Sequence, residues 1–157
     1  RIVEVCAIEV DDDFNEIDSF HAFINPQRKV PWFVTRIHGL NNEFLDDKPI
    51  FSDIGRDLLL FLEGSELWAH NMSFDAGMLN AEFARNRLPT LEKVDCRLNC
   101  TLQLARSTFP GQKNSLDALL DRFAIDRSER RLHGAMIDTR LLVKVYQNLV
   151  SYRTKTS

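Results

Sequence analysis

Two short segments hold the residues whose types and spacing could do chemistry: His70 to Asp75, reading H-N-M-S-F-D, and His133 to Asp138, reading H-G-A-M-I-D. Asp138 is the most informative of them. Stepping three, four and seven positions along the helix expected there reaches Leu141, Leu142 and Val145, so its carboxylate shares an apolar stripe. A buried carboxylate is costly unless it is paired or bound to a cation, so Asp138 needs a partner. The plain alternative is a core aspartate paired with an arginine or a backbone amide. Asp75 stands in the first turn of another expected helix, directly after an apolar strand. Such strand-to-helix junctions lie at the carboxyl edge of a sheet, where α/β proteins place their sites. Its plain alternative is helix capping by Asn71 with Asp75 against the positive helix end, worth about 0.3–1 kcal/mol. His133 precedes Asp138 by five residues, a rotation of about 140° on a helix, so the two cannot face one point if both are helical. Gly134 lets His133 sit in the preceding loop and fold back toward the carboxylate. That geometry suits a general base rather than a metal ligand. An exposed loop histidine is the alternative.

The elements that must position these residues are legible as periodicities. Ile2 to Val10 is β-branched and mostly apolar, Asp11 to Asn15 is a polar turn, and Ile17 to Ile24 resumes strand composition before Asn25-Pro26, so an antiparallel hairpin is predicted. Pro49 to Leu62 repeats apolar residues at helical spacing and ends at Gly64. Glu66 to His70 reads as a short strand, followed by a helix through Phe74, Met78, Leu79 and Phe83 that ends before Pro89. A brief strand is expected at Val94 to Cys96, then a helix carrying Leu98, Leu102 and Ala105. Asn114 with Asp117 resembles a capping box for a helix bearing Leu116, Leu119, Leu120 and Phe123, and a last helix is expected from Ala135 to about Val150. Early strands followed by alternating helices predict an α/β sandwich with a mixed sheet. Residues 151–157 read as a fraying tail or the start of a linker.

At 157 residues the chain fits one domain, and no apolar run approaches the roughly 20 residues of a membrane helix. No membrane partner is expected. Cys6, Cys96 and Cys100 are an odd number without paired spacing, which points to a reducing, cytoplasmic setting, and no signal-peptide pattern is present. A net charge of −3 argues weakly against a nucleic-acid binder, although clustered carboxylates that hold cations invert the local potential. Arg127, Arg130 and Arg131 are the one tight basic group and read as a solvated loop.

Taken together, H-N-x-x-F-D at a strand-to-helix junction and H-G-A-x-x-D opening the last helix resemble the second and third motifs of the DEDD-type 3′→5′ exonucleases with a histidine base. R-I-H-G-L-N-N-E-F-L-D-D-K-P and S-L-D-A-L-L-D-R-F-A-I-D extend the resemblance nearly end to end, with the proofreading branch that serves replicative polymerases as the best match. The resemblance implies a ribonuclease H-like fold, a mixed central sheet flanked by helices, with residues 1–150 as the catalytic domain. It implies two divalent ions, Mg²⁺ or Mn²⁺, held in part by Asp138 and Asp75, with His133 as base. Asn71 would help hold the site, His38 and Ile37 would border the 3′-terminal nucleotide, and Phe33 stands where close relatives can have a polar substrate contact. The implied substrate is a DNA 3′ end, single-stranded or frayed, and the implied partner a replicative polymerase catalytic subunit.

The family's first motif, D-x-E on the opening strand, is missing. Asp11 to Asp13 lie in a turn, and neither Glu4 nor Glu9 has an aspartate in the required relation. The sequence opens on Arg1 at the family's second strand, so the first strand is expected upstream of it. The 157 residues alone are then expected to be inactive or nearly so. RNA trimming by the same chemistry, or a non-catalytic relative that binds a polymerase or nucleic acid, are the alternatives.

Overall fold

The computed structural model describes residues 1–30, 40–128, 130 and 134–156. Phe33, Ile37, His38 and His133 therefore lie outside the described residues. Strand β1 (Glu4–Val10) pairs antiparallel with β2 (Glu16–Phe23), with an irregularity at Glu9/Val10. The exposed Asp11 to Asn15 turn joins them, and Asp11 closes it by accepting from the Asp13 and Asn15 amides. The expected hairpin is present. A short helix α1 (Asn42–Leu45) and the amphipathic α2 (Phe51–Leu62) follow, then β3 (Glu66–Ala69) and α3 (Met72–Arg85).

Three features differ from expectation. The strand predicted at Val94 to Cys96 is a 3₁₀ turn over Glu92–Val94 and its approach, and the true strand is β4 (Arg97–Cys100), parallel to β3. Leu98 thus belongs to β4, and α4 (Thr101–Thr108) begins only after it. The next helix, α5 (Leu116–Arg122), is capped by Ser115, whose hydroxyl accepts from the Ala118 amide, and not by Asn114. Asn114 is buried and spends its amide on the Phe109 and Gln112 carbonyls and the Arg122 guanidinium. Helix α6 (Ala135–Thr156) continues past Val150, so residues 151–156 extend a helix where a tail was expected.

Alternation along the strands builds the layers. Val5 and Ala7 of β1, Phe20 and Ala22 of β2, and Leu67 and Ala69 of β3 pack into one core with α2 and α3. The opposite face meets α6: Cys6 touches Met136, and Trp68 stacks on Tyr146 with ring centroids 4.4 Å apart. Helices α4, α5 and α6 share a second core around Leu119, Leu120, Val145 and Leu149. The architecture is therefore helices on both sides of an α/β sheet layer, as the alternating elements predicted. Among the described residues the strands form two separate pairs, β1–β2 and β3–β4, so each of the four strands, β1 and β3 included, keeps one unpaired edge. Helix α6 ties both pairs together. Its Arg140 forks onto Glu16 of β2 at 3.0 and 3.3 Å, and Tyr146 also meets Phe14 of the hairpin turn. No described helix is long and apolar enough to cross a membrane.

Because Tyr146 is the side chain of α6 that touches β3 and the hairpin turn at once, Tyr146→Ala should cost about 1–3 kcal/mol in urea unfolding and reduce the near-ultraviolet dichroism of Trp68. A change below about 0.5 kcal/mol would show that the two strand pairs are held without it.

Candidate active site

Strand β3 ends at Ala69, and the chain turns into α3 over His70 and Asn71. The turn requires Asn71 to adopt φ 80 and ψ 59, a left-handed conformation that asparagine tolerates better than most residues. Its carbonyl accepts from the Phe74 amide at 3.1 Å and opens the helix. Its side chain makes no cap hydrogen bond; Oδ1 accepts only from the Ser73 hydroxyl at 3.3 Å, which leaves the carboxamide exposed beside Asp75. The plain capping alternative is thus not what this junction uses.

His70 fastens the junction from behind. Its Nε2 lies 2.7 Å from the Asn114 carbonyl and its Nδ1 2.9 Å from the Thr101 hydroxyl. A carbonyl oxygen only accepts, so Nε2 carries the proton and Nδ1 accepts from Thr101. Burial lowers the pKa of this ring, and the Asn114 carbonyl works the other way, so the neutral form is the resident one. Sequence reading passed over His70 although it opens the H-N-x-x-F-D motif.

Asp75 sits one turn into α3, half-buried, and no hydrogen bond or ion pair reaches its carboxylate among the described residues. Burial alone raises its pKa from 3.8 to about 6. Phe74, expected on the apolar face of the helix, instead points into solvent and is 62% exposed. An exposed aromatic ring next to an uncompensated carboxylate is an unusual pairing for a surface that only faces water.

Asp138 occupies the first turn of α6, on the same stripe as the buried Leu141 and Val145, as its spacing predicted. Its partner is an arginine. Arg130 Nε lies 2.8 Å from Oδ1 and Nη2 3.3 Å from Oδ2, so the guanidinium addresses both oxygens, the Nε contact being an ion pair without hydrogen-bond alignment. The Arg130 side chain is only 10% exposed and also pairs with Asp117 of α5. Burial opposes its charge, but Asp117 and Asp138 more than offset this and raise its pKa above the ordinary value. The basic group read as a solvated loop therefore has a buried member at the heart of the site.

Asn71 and Asp75 are thus brought together on one junction, whereas Asp75 and Asp138 share no partner. Among the described residues no three histidine, cysteine, aspartate or glutamate side chains cluster closely enough to hold a metal ion. The donors present fit a hard divalent ion, since both are carboxylate oxygens and one of them is half-buried with no counter-charge. They do not complete a two-ion set.

The sequence profile of the RNase T exonuclease family matches residues 1–146. The chain belongs to this exonuclease family. It is 38% identical over 153 residues to DNA polymerase III subunit epsilon of Pasteurella multocida, covering 98% of the chain and 60% of that protein. It is 45% identical over 159 residues to DNA polymerase III subunit epsilon of Rickettsia conorii, covering 98% of the chain and 67% of the relative. The chain thus spans roughly two thirds of the length of these curated relatives. Among solved structures it is similar to exonuclease X in complex with 5′ overhanging duplex DNA, at TM-score 0.70 and 26% identity over 96% of this chain and 82% of that one.

The raised pKa of Asp75 has a definite sign. A carboxyl whose folded value lies above its unfolded value contributes stability below pH 4 that is lost as pH rises through about 6. Asp75→Asn should therefore raise the stability of the metal-free protein at pH 7.5, by up to about 3 kcal/mol, and change it little at pH 4. Thermal denaturation in a chelator at the two pH values reads this, and a destabilised variant at pH 7.5 would contradict it.

Proposed function

We propose that this chain is the catalytic domain of a two-metal-ion 3′→5′ exonuclease that releases nucleoside monophosphates from DNA 3′ ends, in the proofreading service of a replicative DNA polymerase. The observation that carries this reading is Asp75: a half-buried carboxylate without a counter-charge, at the strand-to-helix junction of a chain that belongs to an exonuclease family. Likeness to polymerase III epsilon subunits over nearly the whole chain supports the DNA and polymerase parts of the proposal. A cytoplasmic setting accords with both.

In this reading Asp75 and Asp138 hold divalent ions, Mg²⁺ or Mn²⁺. Such ions, when bound, acidify a water and stabilise charge on the phosphate and the departing 3′ oxygen. The chain's own residues do the rest. His133, two residues before α6 begins in the sequence, takes a proton on a ring nitrogen from the attacking water. Asn71 offers its exposed carboxamide at the mouth of the site, with Phe74 beside it as an apolar platform on which a nucleobase can stack. Ile37 and His38 border the 3′-terminal nucleotide, and Phe33 lies near it.

Two carboxylates are too few for two ions. The unpaired edges of β1 and β3, strands that share one core and one covering helix, support a further part of the proposal. A strand carrying D-x-E pairs between them and supplies the two remaining carboxylates.

The test is release of mononucleotides from 5′-labelled single-stranded DNA in Mg²⁺. The 157-residue chain should stay near background, and the same chain preceded by a D-x-E strand should be active. In the active form His133→Ala should lower kcat by about 10²–10⁴-fold. Asp138→Ala should abolish turnover while leaving the fold intact by circular dichroism. Full activity in either variant, or no gain from the added strand, would overturn the reading.

A further inference from the structure

Asp75 and Asp138 meet the problem of a buried negative charge in opposite ways. Asp75 has no cation near it, whereas Asp138 is held by a guanidinium that addresses both carboxylate oxygens. Arg130 is not a flexible surface side chain that happens to reach a carboxylate. It is 10% exposed, and its far side is anchored on Asp117, which is itself bound by Arg127 at 3.3 Å. Arg127 in turn holds Asp121 at 2.8 Å, so both arginines and all three acids form one connected ion-pair network around the start of α6, with one carboxylate in excess.

We propose that Arg130 is a built-in counter-cation for Asp138, standing where a divalent ion binds, so that metal binding and the Arg130–Asp138 pair exclude each other. This inference rests on the role given to Asp138 above. Arg130 hydrogen-bonds Oδ2 through Nη2 and brings Nε to 2.8 Å from Oδ1, so the guanidinium stands against both carboxylate oxygens, where a metal ion bound to Asp138 would have to sit. A guanidinium and a divalent ion cannot occupy that place together, and the like charges repel at that range. Asp117 gives the displaced arginine a second carboxylate to stay with, so leaving Asp138 does not strand a buried charge. The metal-free domain thereby keeps the start of α6 held on the Arg130–Asp138 ion pair. Loading is then ordered: the uncompensated Asp75 is open from the start, and Asp138 is taken as Arg130 swings away.

The test is calorimetric titration of the full chain with Mn²⁺ alone, accompanied by thermal melts with and without the ion. Arg130→Gln should bind Mn²⁺ more tightly than the parent protein, by a factor on the order of ten. The variant should melt lower than the parent without metal and gain more from saturating Mn²⁺. Arg130→Lys, which keeps the charge and loses the fork, should fall between the two. An unchanged or weaker Mn²⁺ affinity in Arg130→Gln overturns the proposal, as does a variant whose melting loss is not recovered by metal. Asp138→Asn separates the two readings. If it leaves Mn²⁺ binding intact, the metal role of Asp138 falls and this inference with it. If it abolishes binding while Arg130→Gln leaves affinity unchanged, only the competition falls. Absence of binding in both the parent and Arg130→Gln counts against both.

Discussion

A carboxylate taken partly out of water must find a positive charge or give up its own, and the candidate site is organised around two aspartates that answer this demand differently. Asp138 is answered from within the chain by Arg130. Asp75 is not answered by any described residue, and burial alone holds its pKa near 6. Other features of the junction make sense as ways to keep Asp75 where it is. His70, locked neutral between Thr101 and Asn114, ties the end of β3 to the helices behind it. Asn71 accepts a left-handed backbone so that α3 can start immediately, with Asp75 one turn inside.

The sheet and α6 form the frame on which this local arrangement depends. Helix α6 carries Asp138 at its start, clamps the hairpin through Arg140 and Glu16, and reaches β3 through Tyr146 and Trp68. One helix thus couples the segment bearing Asp138 to the strand that delivers Asp75. The two strand pairs are held side by side by shared cores rather than by backbone hydrogen bonds between them.

Much of this was legible in the sequence because it follows from short-range periodicity. The hairpin, α2, the strand before Asn71 and the place of Asp138 on the stripe of Leu141 and Val145 all came from spacings of two or of three and four. The errors have local causes as well. Strand β4 runs directly into α4 at Cys100 and Thr101 without an intervening breaker, so Leu98 was drawn into the helix that follows it. Asn114 and Ser115 are both capable caps, and only the tertiary demand of the Phe109 and Gln112 carbonyls decides that Ser115 caps while Asn114 is buried. Arg130 looked like a solvated loop residue because its partners, Asp117 and Asp138, lie on two helices whose approach no local pattern encodes. His133 was read from its spacing to Gly134 and Asp138, and Ile37, His38 and Phe33 from motif resemblance; all four lie outside the described residues, so their roles stand as proposals.

The central claim is that Asp75 belongs to a cation site that the chain leaves electrostatically open. The measurement that tests it most directly is the titration of the Asp75 side-chain carboxyl by ¹³C nuclear magnetic resonance, without and with saturating Mg²⁺. The account predicts a metal-free midpoint near 6 and a fall of at least about one pH unit when Mg²⁺ is added, because a bound cation favours the charged form. A midpoint near 4 without metal, or one that Mg²⁺ does not move, would contradict it.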